Sequence, residues 1–116
     1  MILKSKHREI LNNIFSQFSI PMEVWAYGSR VDGTAHDGSD LDLVVISADN
    51  KKVSSDTLKK MKEKITESNI PILVQLFDWV RLPESFHNNI LKNHETLFSS
   101  FNYTLQEPET DYKKQS

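Results

Sequence analysis

The chain has 116 residues, 38% hydrophobic and 26% charged, with a net charge of −2 and no cysteine. That length and balance describe one soluble domain with a single core. They exclude disulfides, thiolate catalysis and cysteine-based zinc sites, and they advertise no general basic surface for nucleic acid.

The N-terminus, Met1-Ile2-Leu3-Lys4, turns charged at once and has no apolar signal core. No window approaches roughly eighteen consecutive apolar residues, so no membrane span is expected and the expected location is the cytoplasm. Leu3, His7, Ile10, Leu11, Ile14, Phe15 and Phe18 then recur at helical spacing and predict an amphipathic helix, which Pro21 ends. Met22 to Tyr27 is short, apolar and aromatic and reads as a first strand. Gly28 stops it. Residues 29–34 have room for one or two helical turns, with Ser29 as N-cap, and His36-Asp37-Gly38 supplies turn chemistry for the loop over 35–39.

A second strand is predicted over 40–47, since Leu43-Val44-Val45-Ile46 is the β-branched run of a strand buried on both faces. After a polar loop, Leu58, Met61 and Ile65 mark the narrow stripe of a helix over 56–68, and its lysines read as a solvated face. Ile70 to Phe77 is a third strand with Pro71 at its start. Pro83 is placed as the first residue of a last helix, with Phe86, Ile90, Leu91, His94, Leu97 and Phe98 as its apolar face. Trp25 and Trp79 read as core or interface aromatics, and His94 as a satisfied core histidine. Residues 1–101 form the expected domain. Residues 102–116 turn polar and are expected to be a flexible tail, while Phe98, Phe101 and Tyr103 either finish the core or meet a partner. The element order implies an α/β (α+β) fold, a small mixed three-stranded sheet flanked by helices.

All three glycines lie in the stretch from Gly28 to Asp42, between the first two strands. On a strand, residues i and i+2 face the same side, about 6.5–7 Å apart by strand rise. Asp40 and Asp42 therefore converge on one face. Two converging carboxylates repel each other unless a hard divalent cation joins them, and magnesium takes one or two carboxylates together with phosphate oxygens. Gly28 lets the backbone approach a ligand, Ser29 opens a turn whose N–H groups and hydroxyl suit an anion, and Arg30 adds a potential phosphate contact. A phosphate held there, beside a metal on Asp40 and Asp42, would suit nucleotidyl transfer.

Gly28-Ser29, ten residues, then Asp40-Leu41-Asp42 resembles the signature of the minimal nucleotidyltransferases of the DNA polymerase β-like superfamily. Val24-Trp25-Ala26-Tyr27-Gly28-Ser29-Arg30 and Ser39-Asp40-Leu41-Asp42-Leu43 are worded as in that family, and the element order agrees over roughly residues 3–98. The resemblance implies a polymerase β palm-like fold, ATP or another nucleoside triphosphate as substrate, and Mg²⁺ as cofactor. It implies Gly28, Ser29, Arg30 and Ser39 as nucleotide contacts, and Asp40 and Asp42 as catalytic metal ligands. It also implies a HEPN-domain partner, to which such proteins act as type VII-like antitoxins, some by moving AMP onto a tyrosine of that toxin. A homo- or hetero-oligomer fits that setting.

The sequence departs from the family at one place. The third acidic residue expected in the third strand is matched by Gln75, which is neutral and cannot act as a general base. Asp78 lies on the opposite face by strand alternation and reads as a solvated or capping residue, with replacement of the missing carboxylate through a bulge or turn as the alternative. Asp32 and Asp37 read as turn residues, with a metal contact as the alternative for either. The four histidines have no metal-ligand spacing. Two functions remain: a Mg²⁺-dependent adenylyltransferase acting on a HEPN toxin, or a weakly active or inactive binding module that neutralises such a partner by complex formation. Direct nucleic-acid binding is disfavoured by the charge balance.

Overall fold

The alternation of Met22, Val24 and Ala26 with Glu23, Trp25 and Tyr27 divides the first strand, β1 (Met22–Tyr27), into a buried face and a half-exposed one. The computed structural model describes residues 1–36 and 38–100, with the backbone of 109–110 and 112–113. Around β1 the sheet has the order β3-β2-β1-β4. β2 (Leu41–Ser47) runs antiparallel to β1, from Met22 opposite Ser47 to Tyr27 opposite Asp42. β3 (Val74–Asp78) runs parallel to β2, with Asp42 opposite Gln75. A parallel pair needs a crossover, and α3 (Ser55–Thr66) supplies it; Ser54 caps its start by accepting the Thr57 N–H.

One face of this sheet carries the core. Leu11 and Phe15 of α1 (Ser5–Ser16) and Met61 of α3 pack on Met22, Val24, Leu43 and Val45. His7 shares the buried stripe of α1, as its spacing predicts. The short α2 (Ser29–Asp32) sits at the end of β1 with Val31 against this core, and the opposite face carries a 3₁₀ turn at Trp79–Arg81 and α4 (Glu84–Lys92), which buries Ile90. No helix of the described residues is long and apolar enough to cross a membrane.

The sheet has four strands where three are expected. The predicted last helix stops at Lys92, Asn93 is extended (φ −154°, ψ 95°), and His94–Ser99 forms β4 against the free edge of β1. Phe86 and Leu91, read as apolar helix-face residues, are exposed. A bulge explains why β4 does not read as a strand. Val24 faces Phe98 and Trp25 faces Thr96, so Leu97 is the extra residue. Leu97 and Phe98 are consecutive, yet both pack on the core, and the Phe98 ring lies 6.0 Å from that of Phe15. Period-two alternation is lost at that point. The third strand is also shorter than predicted, starting at Val74, because 70–73 packs as an irregular segment with Ile70 and Ile72 on the core. The tail over 102–116, and the question of Phe101 and Tyr103, lie outside the described side chains.

If the bulge delivers Leu97 to the core, Leu97→Ala should lower the unfolding free energy by about 2–5 kcal/mol. Thr96→Ala, at an exposed position of the same strand, should cost less than about 0.5 kcal/mol. Urea unfolding of the two variants checks this; equal midpoints would contradict the register.

Candidate active site

Strand register sets one polar row across the face away from α1 and α3. His94, Tyr27, Asp42 and Gln75 are successive partners on β4, β1, β2 and β3. The next row inward is Thr96, Trp25, Val44 and Phe77. Asp40, just before β2, joins the polar row: its Oδ2 accepts a hydrogen bond from Gln75 Nε2 at 3.1 Å. Asp40 and Asp42 thus share a face, as their spacing predicts, and Gln75 joins them at the position the resemblance assigns to a third acidic residue.

Gly28 makes room for that convergence. It has φ +81° and ψ −155°, and a Cβ built on it would stand 2.5 Å from Asp42 Oδ2. Only a residue without a side chain accepts both that conformation and that neighbour. Gly28, rather than Ser29, is the N-cap of α2, and its carbonyl accepts the N–H groups of Val31 and Asp32. Ser29 is the first helical residue, half-buried, and its hydroxyl has no hydrogen-bond partner among the described residues.

Arg30 and Ser39 are placed otherwise than expected. Arg30 is only 5% exposed. Its Nε and Nη2 donate to the Ser39 carbonyl at 3.0 and 2.8 Å, and Nη1 donates to the Ile2 carbonyl at 2.7 Å. A buried guanidinium must be hydrogen-bonded, and these carbonyls do it. Arg30 therefore holds the loop that leads into Asp40 instead of reaching outward to phosphate. The Ser39 hydroxyl accepts the His36 N–H at 3.0 Å and closes the same loop.

The remaining candidates fall away from the row. Asp78 is not solvated: it is 2% exposed on the core side, where Oδ2 accepts the Val53 N–H at 2.9 Å and meets Arg81 Nη1 at 3.2 Å. It cannot replace a carboxylate at Gln75. Asp32 is a turn residue, accepting from the Thr34 N–H and hydroxyl, and those bonds hold its carboxyl below the ordinary value. Asp37 lies outside the described residues. His94 and His87 stack on Trp25 and Trp79, with ring centroids 4.0 and 3.8 Å apart, and each bonds a backbone carbonyl. These four rings fix α4 and the 3₁₀ turn on the sheet, the packing role expected for the tryptophans and His94.

The electrostatics favour a cation. Burial, and then the charge of Asp40, raise the Asp42 carboxyl above its ordinary value. Burial, and then Asp42, push the Tyr27 phenol up to about 12, so it stays a neutral hydroxyl. Among the described residues no three His, Asp or Glu side chains group as metal ligands. The hard-oxygen donors are the two carboxylates, while Gln75 turns its amide N–H toward Asp40. Such a pair, strained by its own charge, fits magnesium completed by phosphate oxygens and water.

Beside the row is a cleft of about 280 Å³ between the Gly28 turn and α4. Tyr27, Phe86, Asn89 and Asn93 line it, none of which the sequence pattern singles out for a site. The available signals were an aromatic directly before Gly28 and two asparagines four apart near the helix end.

A family model described as Polymerase beta, Nucleotidyltransferase matches residues 9–102. A Haemophilus influenzae protein named "Probable protein adenylyltransferase MntA" is 38% identical over 90 residues, covering 78% of this chain and 77% of that protein. A solved toxin–antitoxin complex with AMP-PNP aligns with TM-score 0.65 at 17% identity, over 81% of this chain and 74% of that one. A solved MntA–HepT toxin–antitoxin aligns with TM-score 0.61 at 12% identity, over 84% and 74%. At these identities the solved structures speak for the fold.

The strained carboxylate pair has a measurable signature in the metal-free protein. A carboxyl whose pKa is raised on folding adds stability at acid pH, and loses it as pH rises through the folded value. Asp40→Asn removes one source of the rise at Asp42. It should therefore raise the thermal midpoint at pH 7, have little effect at pH 3, and move the Asp42 carboxyl titration in carbon NMR downward. An equal effect at both pH values would contradict the repulsion.

Proposed function

The chain belongs to the polymerase β nucleotidyltransferase family, and on that footing we propose that it is a Mg²⁺-dependent adenylyltransferase. Its substrate is ATP, and its acceptor is a HEPN-domain toxin of the HepT kind. The observation that carries this reading is the convergence of Asp40 and Asp42 under a Gly28 turn that only glycine can make. The printed name of the Haemophilus influenzae relative, and the AMP-PNP and HepT named with the solved relatives, support the choice of reaction and partner.

Asp40 and Asp42 would hold the metal, which supplies charge neutralisation at the α-phosphate. Ser29 offers its unpartnered hydroxyl to the phosphates. Tyr27, neutral beside Asp42, adds a hydroxyl donor without further negative charge. The acceptor hydroxyl's oxygen forms a bond to the α-phosphorus as its proton passes to solvent, while the bond from that phosphorus to the bridging oxygen breaks. AMP stays on the acceptor and pyrophosphate leaves. Gln75 can orient Asp40 through its amide N–H but cannot accept the acceptor's proton. Arg30 acts by positioning: it holds the Ser39 carbonyl, and so the approach to Asp40.

The Gln75–Asp40 hydrogen bond also favours a second reading, a binding module that neutralises the HEPN partner by complex formation. There the amide stands where a third carboxylate would complete a catalytic centre.

Radiolabelled ATP, Mg²⁺ and the HEPN partner together separate the two. The adenylyltransferase labels the partner, and Asp42→Asn lowers that labelling by at least about a hundredfold, the scale of losing one electrostatic stabiliser. Gln75→Asp raises labelling or metal affinity. No label, with a stoichiometric complex that Asp42→Asn leaves intact, would sink the enzyme and leave the module.

A further inference from the structure

We infer that the cleft between the Gly28 turn and α4 is the nucleobase pocket, and that Asn89 and Asn93 select adenine there. This rests on the adenylyltransferase reading and adds its base specificity. The cleft shares Tyr27 and Gly28 with the carboxylate site, so a nucleotide whose phosphates lie at Asp40 and Asp42 reaches it directly.

The lining has the chemistry of a heterocycle site. It holds no lysine or arginine, and its one charge is the carboxylate of Asp32, so a triphosphate does not belong in it. The rest is aromatic, apolar or amide. Phe86 is 46% exposed on this wall, an aromatic face on which a base can stack. Asn89 and Asn93 are exposed, line the cleft, and make no side-chain hydrogen bond among the described residues. A carboxamide presents one donor and one acceptor side by side. That pattern matches the N6 amino group and N7 of adenine, whereas guanine offers two acceptors at O6 and N7.

The wall is also rigid enough to discriminate. Ile90, between the asparagines, is buried, its carbonyl is bonded by His94 Nδ1, and His87 stacks on Trp79. Asn89 lies on this packed helix and Asn93 directly follows it, and a site on a packed element holds its contacts more closely than one on a loop.

The test is calorimetric titration of the full chain with Mg²⁺ and AMP-PNP, GMP-PNP or inorganic tripolyphosphate. Wild type should prefer AMP-PNP over GMP-PNP by about tenfold or more, the scale of one bidentate amide–base contact. Asn89→Ala/Asn93→Ala should bring the two nucleotides within about threefold and leave tripolyphosphate binding unchanged. Phe86→Ala should weaken both nucleotides and spare tripolyphosphate. A preference that survives the double variant, or a wild type with no preference, overturns this pocket and leaves the adenylyltransferase standing. A wild type that binds neither nucleotide overturns both. Far-ultraviolet circular dichroism confirms that the variants, all at exposed positions, remain folded.

Discussion

The site depends on the approach of Asp42 to Gly28. Its carboxylate occupies the space where any other residue would carry Cβ, and the backbone there lies at a positive φ that L side chains rarely adopt. The approach ties two otherwise separate events together. β1 ends at Tyr27, the partner of Asp42, and α2 begins at once on the Gly28 carbonyl. α2 in turn aims Arg30 back at the Ser39 carbonyl, one residue before Asp40. Both ends of the loop that carries the carboxylates are thereby fixed from the same turn.

The same geometry sets fold stability against function. Without a cation, Asp40 raises the carboxyl of its neighbour, and no basic side chain lines the adjoining cleft to compensate. The charged row is tolerated because the opposite face is packed by α1 and α3, where one carboxylate oxygen of Asp78 is held by Val53 and Arg81. Gln75 moderates the conflict. Its amide donates to Asp40 where a third carboxylate would add repulsion.

Much of this was legible in the residues. β1 carried clean alternation and α3 a stripe with a serine before it, while Gly28-Ser29 and Asp40-x-Asp42 bracketed a loop of suitable length. What escaped did so for identifiable reasons. The bulge put Leu97 and Phe98 on the same face, and their spacing from Ile90 imitated a helix. Arg30 looked like a phosphate ligand because a buried arginine bonded to backbone carbonyls leaves no trace in sequence. Asp78 was assigned to the correct face, but its partner Val53 is 25 residues away and only the crossover brings it near. The cleft residues Phe86, Asn89 and Asn93 belong to an exposed helix surface, which periodicity treats as featureless.

The difference between an enzyme and a binding module on this frame comes down to one amide. In the proposed site a cation would sit between the carboxylates and the phosphates, and two carboxylates such as Asp40 and Asp42 would suffice to seat it. Turnover asks for more, because the acceptor's hydroxyl must also lose its proton as it attacks. An amide can orient Asp40 but can neither take that proton nor add negative charge for a second cation. In the proposed site, the step that Gln75 serves least is therefore activation of the acceptor, not capture of ATP. That is also the step to which the acceptor protein brings its own groups. Acceptor activation is therefore the scale on which the two readings differ.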